Sequence, residues 1–312
     1  MRGRSVPSRK LFLGFFPVML FCLAGAAGAE ASLRWPDLAQ VPEPASSSLS
    51  AIEDEVGPLP ADAAFELHRW NRFPSVLVFD LADFDAQNAM FSRLAFYIEK
   101  RGYRGRLLTD AQLAGKHGWN AHDYGPESLA AFYDRAASTG FRLDPAESLL
   151  RDIALREGIL RMRDGSLLPG SGAVLSISRS SSKYERRLLL AHESYHGIFF
   201  THADYRALCE RTWAAASDGE RAFMEKLLAA LGYDSSSHYL VVNEFQAYLL
   251  QQPSRYAAVY FRRVASLVPD IGGTTGFEKI LPDLLFSERT LESFLRDRYG
   301  ILAGGATVDG RP

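Results

Sequence analysis

The amino-acid sequence predicts an α+β chain, mainly helical, with a small sheet. Three observations carry that expectation. Several stretches place apolar residues at helical spacing, as Met90, Phe91, Leu94, Ala95 and Ile98 do. Two short apolar runs, Ser75 to Asp80 and Ala173 to Ser178, read as buried strands. Soon after the second strand comes a long run with a helical pattern, and it contains a His-Glu-x-x-His at residues 192–196.

Residues 1–29 read as a secretory signal peptide. Arg2, Arg4, Arg9 and Lys10 form a basic start, Leu11 to Leu23 is apolar, and Ala27-Gly28-Ala29 offers small residues for cleavage. The expected location is therefore periplasmic or secreted, with no stable membrane insertion after cleavage; an uncleaved anchor is the alternative. Loss of the four basic residues takes the chain from 35 basic against 37 acidic groups to 31 against 37, a net charge of −6. Such a chain has no general affinity for nucleic acid. Cys209 is then the sole cysteine left, so an intramolecular disulfide is impossible, and the hydrophobic core must hold the fold unaided.

Residues 30–61 hold Pro36, Pro42, Pro44, Pro58 and Pro60 with many Ser and Ala, and read as a linker or irregular wrap. One domain, residues 62–302, is expected to follow. Its α/β part, residues 62–140, contains the first strand, a helix from Gln87 to Arg101 and a second from Pro126 to Ala137. Between those helices lies the polar and aromatic cluster His117 to Gly125, read as an ordered turn or the lining of a cleft. The helical part, residues 141–302, opens with a helix from Pro145 to Arg161, for which Asp144 is a good N-cap. Helices at Tyr205 to Ala216, Arg221 to Leu231, Leu240 to Leu250, Tyr256 to Leu267 and Glu288 to Arg298 complete it. The Gly-rich residues 303–312 read as a disordered tail.

The His-Glu-x-x-His has a mechanism behind its spacing. Residues four apart on a helix lie one above the other, so His192 and His196 can offer two imidazole nitrogens to one metal ion. Glu193 sits about 100° further round, near enough to serve a metal-bound water as general base without being a ligand. Ser182 and Glu185 form a capping box, and the apolar run that follows carries both histidines inward. A third ligand is needed, and two candidates compete. His202 lies ten residues after His192, a metzincin-like spacing, but Phe199 stands where that pattern has a glycine. Glu244 lies in an apolar helical run, where a carboxylate is costly to bury without a partner such as a metal.

With Asn243, Glu244 and Ala247, the second motif resembles the downstream helix of the gluzincins, zinc metallopeptidases whose third ligand is a glutamate. The resemblance spans roughly residues 170–255. It implies a zincin-like catalytic domain, Zn2+ as cofactor, zinc on His192, His196 and Glu244, and hydrolysis of peptide or protein substrates with Glu193 as catalytic base. It also implies that the strand before the zinc helix forms a sheet edge lining the cleft, where an extended substrate can pair. A donor to the reaction oxyanion is implied as well, with Tyr239 as first choice and His238 as second. Tyr248 occupies the place where some members carry an aspartate that orients a zinc-bound histidine. Two other functions fit the same residues: an exported, non-catalytic zinc-binding adhesin or cell-wall binding module, and a hydrolase of cell-wall peptides.

Overall fold

The computed structural model describes residues 35–268 and 273–308. After a short 3-10 turn come β1 (Ala45–Ser47), α1 (Leu49–Asp54), β2 (Phe65–Trp70), β3 (Val76–Leu81) and α2 (Phe84–Ile98). The single turn α3 (Asp110–Leu113) precedes β4 (Ala121–Tyr124), α4 (Pro126–Thr139) and α5 (Pro145–Arg156). The hairpin β5 (Leu160–Arg163) and β6 (Ser166–Pro169) leads to β7 (Ala173–Ser178) and then α6 (Lys183–Thr201). The rest is helical: α7 (Ala203–Ala215), α8 (Asp218–Leu231), α9 (His238–Leu250), α10 (Ser254–Val264) and α11 (Gly273–Tyr299). The chain is thus α+β and mainly helical, as expected.

The five-stranded sheet runs β1-β2-β3-β7-β4. β1 with β2 and β3 with β7 are parallel, while β2 with β3 and β7 with β4 are antiparallel. Side chains alternate across a strand, and the two cores follow that period. Val76 and Val78 of β3 join the core shared with α6 to α11, whereas Leu77, Phe79 and Leu81 join the core under α2, α4 and α5. Strands covered on both faces are buried throughout, which is why β3 and β7 are legible as mainly apolar runs, broken only by Asp80 in β3 and by Ser176 and Ser178 in β7.

The strand before the His-Glu-x-x-His helix, expected as a sheet edge, is interior. β7 lies between β3 and β4. The edge on this side is β4, drawn from the polar cluster expected as an ordered turn or the lining of a cleft, and its four residues are all buried. The helix expected to run to Arg161 stops at Arg156, because Gly158 turns with φ 73° and the chain enters the β5–β6 hairpin.

The stretch expected as a linker or irregular wrap packs on the fold from residue 35 onward and adds regular elements to it. β1 pairs with β2, and α1 buries Ile52 completely. Residues 303–308, expected as disordered, are placed too. Ala303 is buried, and Tyr195 Oη donates to Leu302 O at 2.8 Å and accepts from Gly305 N at 3.0 Å. Among the described residues no helix is long and apolar enough to cross a membrane. The expected signal peptide lies outside the described residues.

Two features seat α6 on the sheet. At its first turn, Arg186 is fully buried and holds Asp80 of β3 through Nη1–Oδ1 at 2.8 Å and Nη2–Oδ2 at 3.1 Å. Further along, Gly197 faces β3 so closely that a Cβ there would stand 3.1 Å from Val76 Cγ1.

Candidate metal centre

α6 begins at a capping box in which Ser182 Oγ accepts from Glu185 N and Glu185 Oε2 accepts from Ser182 N. From that exposed start it runs inward, and every residue from Leu189 to Phe199 is buried. His192, Glu193 and His196 lie in this span. α9 crosses it. From Leu240 to Leu250 all of α9 is buried, including Glu244 at 1% exposure. A helix buried all round has no wet face for a carboxylate, so Glu244 must be matched from within.

The match is with the two histidines. His192 Nε2 lies 3.4 Å from Glu244 Oε2, and His196 Nε2 lies 3.8 Å from Glu244 Oε1. All three ligand atoms fall within 4.8 Å of one another. The opposite ring nitrogens are taken up elsewhere. His192 Nδ1 pairs with Gln251 Oε1 at 2.9 Å, and His196 Nδ1 faces Asp123 Oδ2 at 3.6 Å and Gln246 Nε2 at 3.4 Å. Both Nε2 atoms therefore converge on one carboxylate while both Nδ1 atoms are held from outside, the orientation that metal-binding histidines need.

β4 supplies Asp123 by strand alternation. His122 turns to the α2 side, with Nδ1 2.9 Å from Ser176 Oγ and its ring stacked on Phe91. Asp123 turns to the other face and accepts from Asn243 Nδ2 at 3.1 Å. It also falls within 4.8 Å of Glu193 and His196 in a second potential ligand group. Burial, reinforced by Glu193, raises the Asp123 carboxyl well above its ordinary range. Burial and Glu244 do the same to Glu193. For His196, burial outweighs the attraction of Glu244 and brings the imidazole down to about 4, so it is neutral and able to ligate at pH 7.

A cation fits this place. His196 Nε2, Glu244 Oε2 and Glu193 Oε2 are buried and have no hydrogen-bond partner among the described residues. Among the described residues, no Lys or Arg forms an ion pair with Asp123, Glu193 or Glu244. Glu55, Glu66, His68 and Asp80 are as closely grouped, yet Arg179 pairs with all three of those carboxyls and Arg186 with Asp80. That group already contains its cations; the one around Glu244 does not. Two imidazoles and a carboxylate are a donor set suited to a borderline-soft divalent metal.

The other expected residues lie apart. His202 caps α6 with its ring against Phe73 and Tyr299, turned from the cluster, and joins no potential ligand group. Tyr239 is 43% exposed, packs its ring on Phe199, and lines a cavity of about 60 Å³ that Asp123 and Asn243 also line. His238 is exposed and pairs with Glu210 at 2.8 Å. Tyr248 presents its ring to His192 at 4.8 Å, so the hydrogen bond to His192 falls to Gln251 instead.

Sequence reasoning missed Gln251 and Gln246, and it offered Asp123 as a polar contact in a cleft without placing it beside His196. Gln251 carried a usable signal, since it stands seven residues after Glu244 and two helical turns bring both to one face. Comparison of the chain with protein-family models, curated proteins and solved structures found no match.

Proposed function

We propose that this protein is a zinc-dependent hydrolase of peptide bonds, of gluzincin type, acting outside the cytoplasm. The observation that carries the proposal is the convergence of both Nε2 atoms on the Glu244 carboxylate, with Glu193 alongside and buried. His192, His196 and Glu244 would hold the ion, leaving a position for water. Zinc so bound supplies a water acidic enough to ionise near neutral pH and a Lewis acid for the scissile carbonyl.

The chain's own residues do the rest. Glu193 accepts the water's proton and returns it to the leaving amine. Gln251 accepts from Nδ1 of His192 and so fixes that ring's tautomer and plane, and Asp123, 3.6 Å from Nδ1 of His196, is the acceptor on the outer side of the second ring. Tyr239, at the mouth of the cavity beside Asp123, is the candidate donor to the oxyanion.

One observation favours a second reading, a non-catalytic exported zinc-binding module. Every member of the cluster is buried, and so is the whole of β4, where an extended substrate would pair. The two readings separate in one experiment. Zinc is measured per mole of purified residues 30–312, wild type and Glu244→Ala, and wild type and Glu193→Gln are screened against a peptide library that includes cell-wall peptides. The hydrolase predicts about one zinc, lost with Glu244, and cleavage lost with Glu193 while zinc is kept. Zinc without cleavage by wild type rejects the hydrolase in favour of the module, and wild type that takes up no zinc rejects both.

A further inference from the structure

The turn after α2 carries a cation, Arg104, that has no partner among the described residues. Residues 101–105 fold back on the helix end, with Tyr103 N donating to Lys100 O at 3.0 Å and Gly105 N to Tyr97 O at 2.7 Å. Arg101 N reaches across to Gly232 O at 3.0 Å, which ties the turn to the segment ahead of α9. Gly102 and Gly105 have φ of 82° and 74°, left-handed values that a side chain would resist. The turn is thus anchored at both ends, and it sets Arg104 on the wall of the cavity of about 60 Å³.

The same cavity has the metal cluster's Asp123 and Asn243 on its wall, with Ser128, Ser237 and Tyr239 as further polar lining. Arg104 is exposed and makes no hydrogen bond or ion pair among the described residues. Glu99, also on the wall, is not its partner, because that carboxylate accepts from Trp119 Nε1. Asp123 is turned inward to Asn243 and His196. An unpaired guanidinium, with five donors in a planar fork, is a ready partner for a carboxylate entering beside it.

We propose that this cavity is a substrate subsite that seats a carboxylate against Arg104, so that the preferred peptides carry a free carboxylate next to the bond cleaved. The inference rests on the hydrolase reading for the cleaved bond, though not for the binding. The carboxylate comes either from a chain terminus or from an acidic side chain, and the size of the cavity suits one such group or a few waters.

The test uses acetylated pentapeptides made in two kinds of pair, C-terminal acid against amide and Glu against Gln. Binding to the zinc-loaded Glu193→Gln protein is measured by calorimetry, and cleavage by wild type is followed in parallel. Acid members of at least one kind of pair should bind at least tenfold more tightly, and the kind that does so identifies the source of the carboxylate. Adding Arg104→Ala should reduce that ratio to about two or less, and Arg104→Lys should restore part of it. Equal binding within both kinds of pair, no binding at all, or a ratio unmoved by Arg104→Ala overturns the subsite. Selective binding without cleavage by wild type keeps the subsite and removes the hydrolase; cleavage without selectivity does the reverse.

Discussion

His192 Nδ1 and Gln251 Oε1 lie 2.9 Å apart, which turns the Nε2 of that ring toward Glu244. Gln251 is the C-cap of α9, the helix that carries Glu244, so one helix supplies both a ligand and the group that aims another ligand. Gln251→Ala should therefore weaken zinc binding without abolishing it. Loss of such an outer partner typically costs about 10- to 100-fold in metal affinity. Competition against a chromophoric chelator measures this directly, and an unchanged affinity would show that the ring is aimed by its packing against Tyr248.

The Arg186–Asp80 pair makes a stability prediction. Both side chains are fully buried, and Arg186 also donates to Ser178 O at 3.1 Å and Ile52 O at 2.5 Å. Arg186→Met leaves Asp80 with Arg179 alone and strips two buried carbonyls, at a cost of about 3–5 kcal/mol. Replacing both members with apolar residues should recover much of that loss, since the desolvation of Asp80 disappears too. Urea unfolding of the single and double variants is the check.

Parts of the centre were legible in the sequence and parts were not, for reasons that concern particular residues. His192, Glu193 and His196 share one helix, and a local repeat reveals local geometry. Glu244 was legible because a carboxylate in an apolar helix demands a partner. Asp123 was hidden because β4 is only four residues long and half polar, so Ala121-His122-Asp123-Tyr124 resembled a turn. Its strand character comes from pairing with β7, a contact between residues some fifty positions apart, and no local pattern encodes that. The same non-local pairing moved β7 from the edge to the interior. In residues 35–61 composition left a linker and a wrap both open, since prolines flank the elements there while Ile52 and Ser47 do the packing and pairing.

Gly197 illustrates a constraint that the motif conceals. It stands one residue after His196, on the face of α6 pressed against β3, where a Cβ would come within 3.1 Å of Val76 Cγ1 and 3.5 Å of Leu175 Cδ1. Gly197→Val must push the helix off the sheet or force those side chains from their rotamers. The expected loss is about 1–3 kcal/mol, partly offset by the better helix propensity of the new residue. Because the displacement would carry His196 with it, zinc affinity should fall as well. Thermal unfolding with and without zinc separates the effects: a variant destabilised only in the metal-free form would contradict this account.

Acid should act on the metal-free protein through His196. Its pKa is brought down to about 4 by burial, against an ordinary value of 6.5. Between those values the unfolded chain binds a proton that the folded one does not, so this residue's stability contribution is complete above pH 6.5 and is lost as the pH falls toward 4. That gap corresponds to roughly 3 kcal/mol. Glu193 and Asp123 act in the opposite sense, because their raised carboxyls favour the folded state at low pH and lose that contribution as the pH rises through their folded values. The raw slope therefore mixes both, and the informative quantity is the difference between wild type and His196→Gln. Chelator-treated wild type should lose about 3 kcal/mol more than the variant between pH 6.5 and 4, measured by urea unfolding. Parallel pH profiles for the two proteins would mean that the imidazole takes up its proton while still folded, and that the cluster opens to water in the absence of metal.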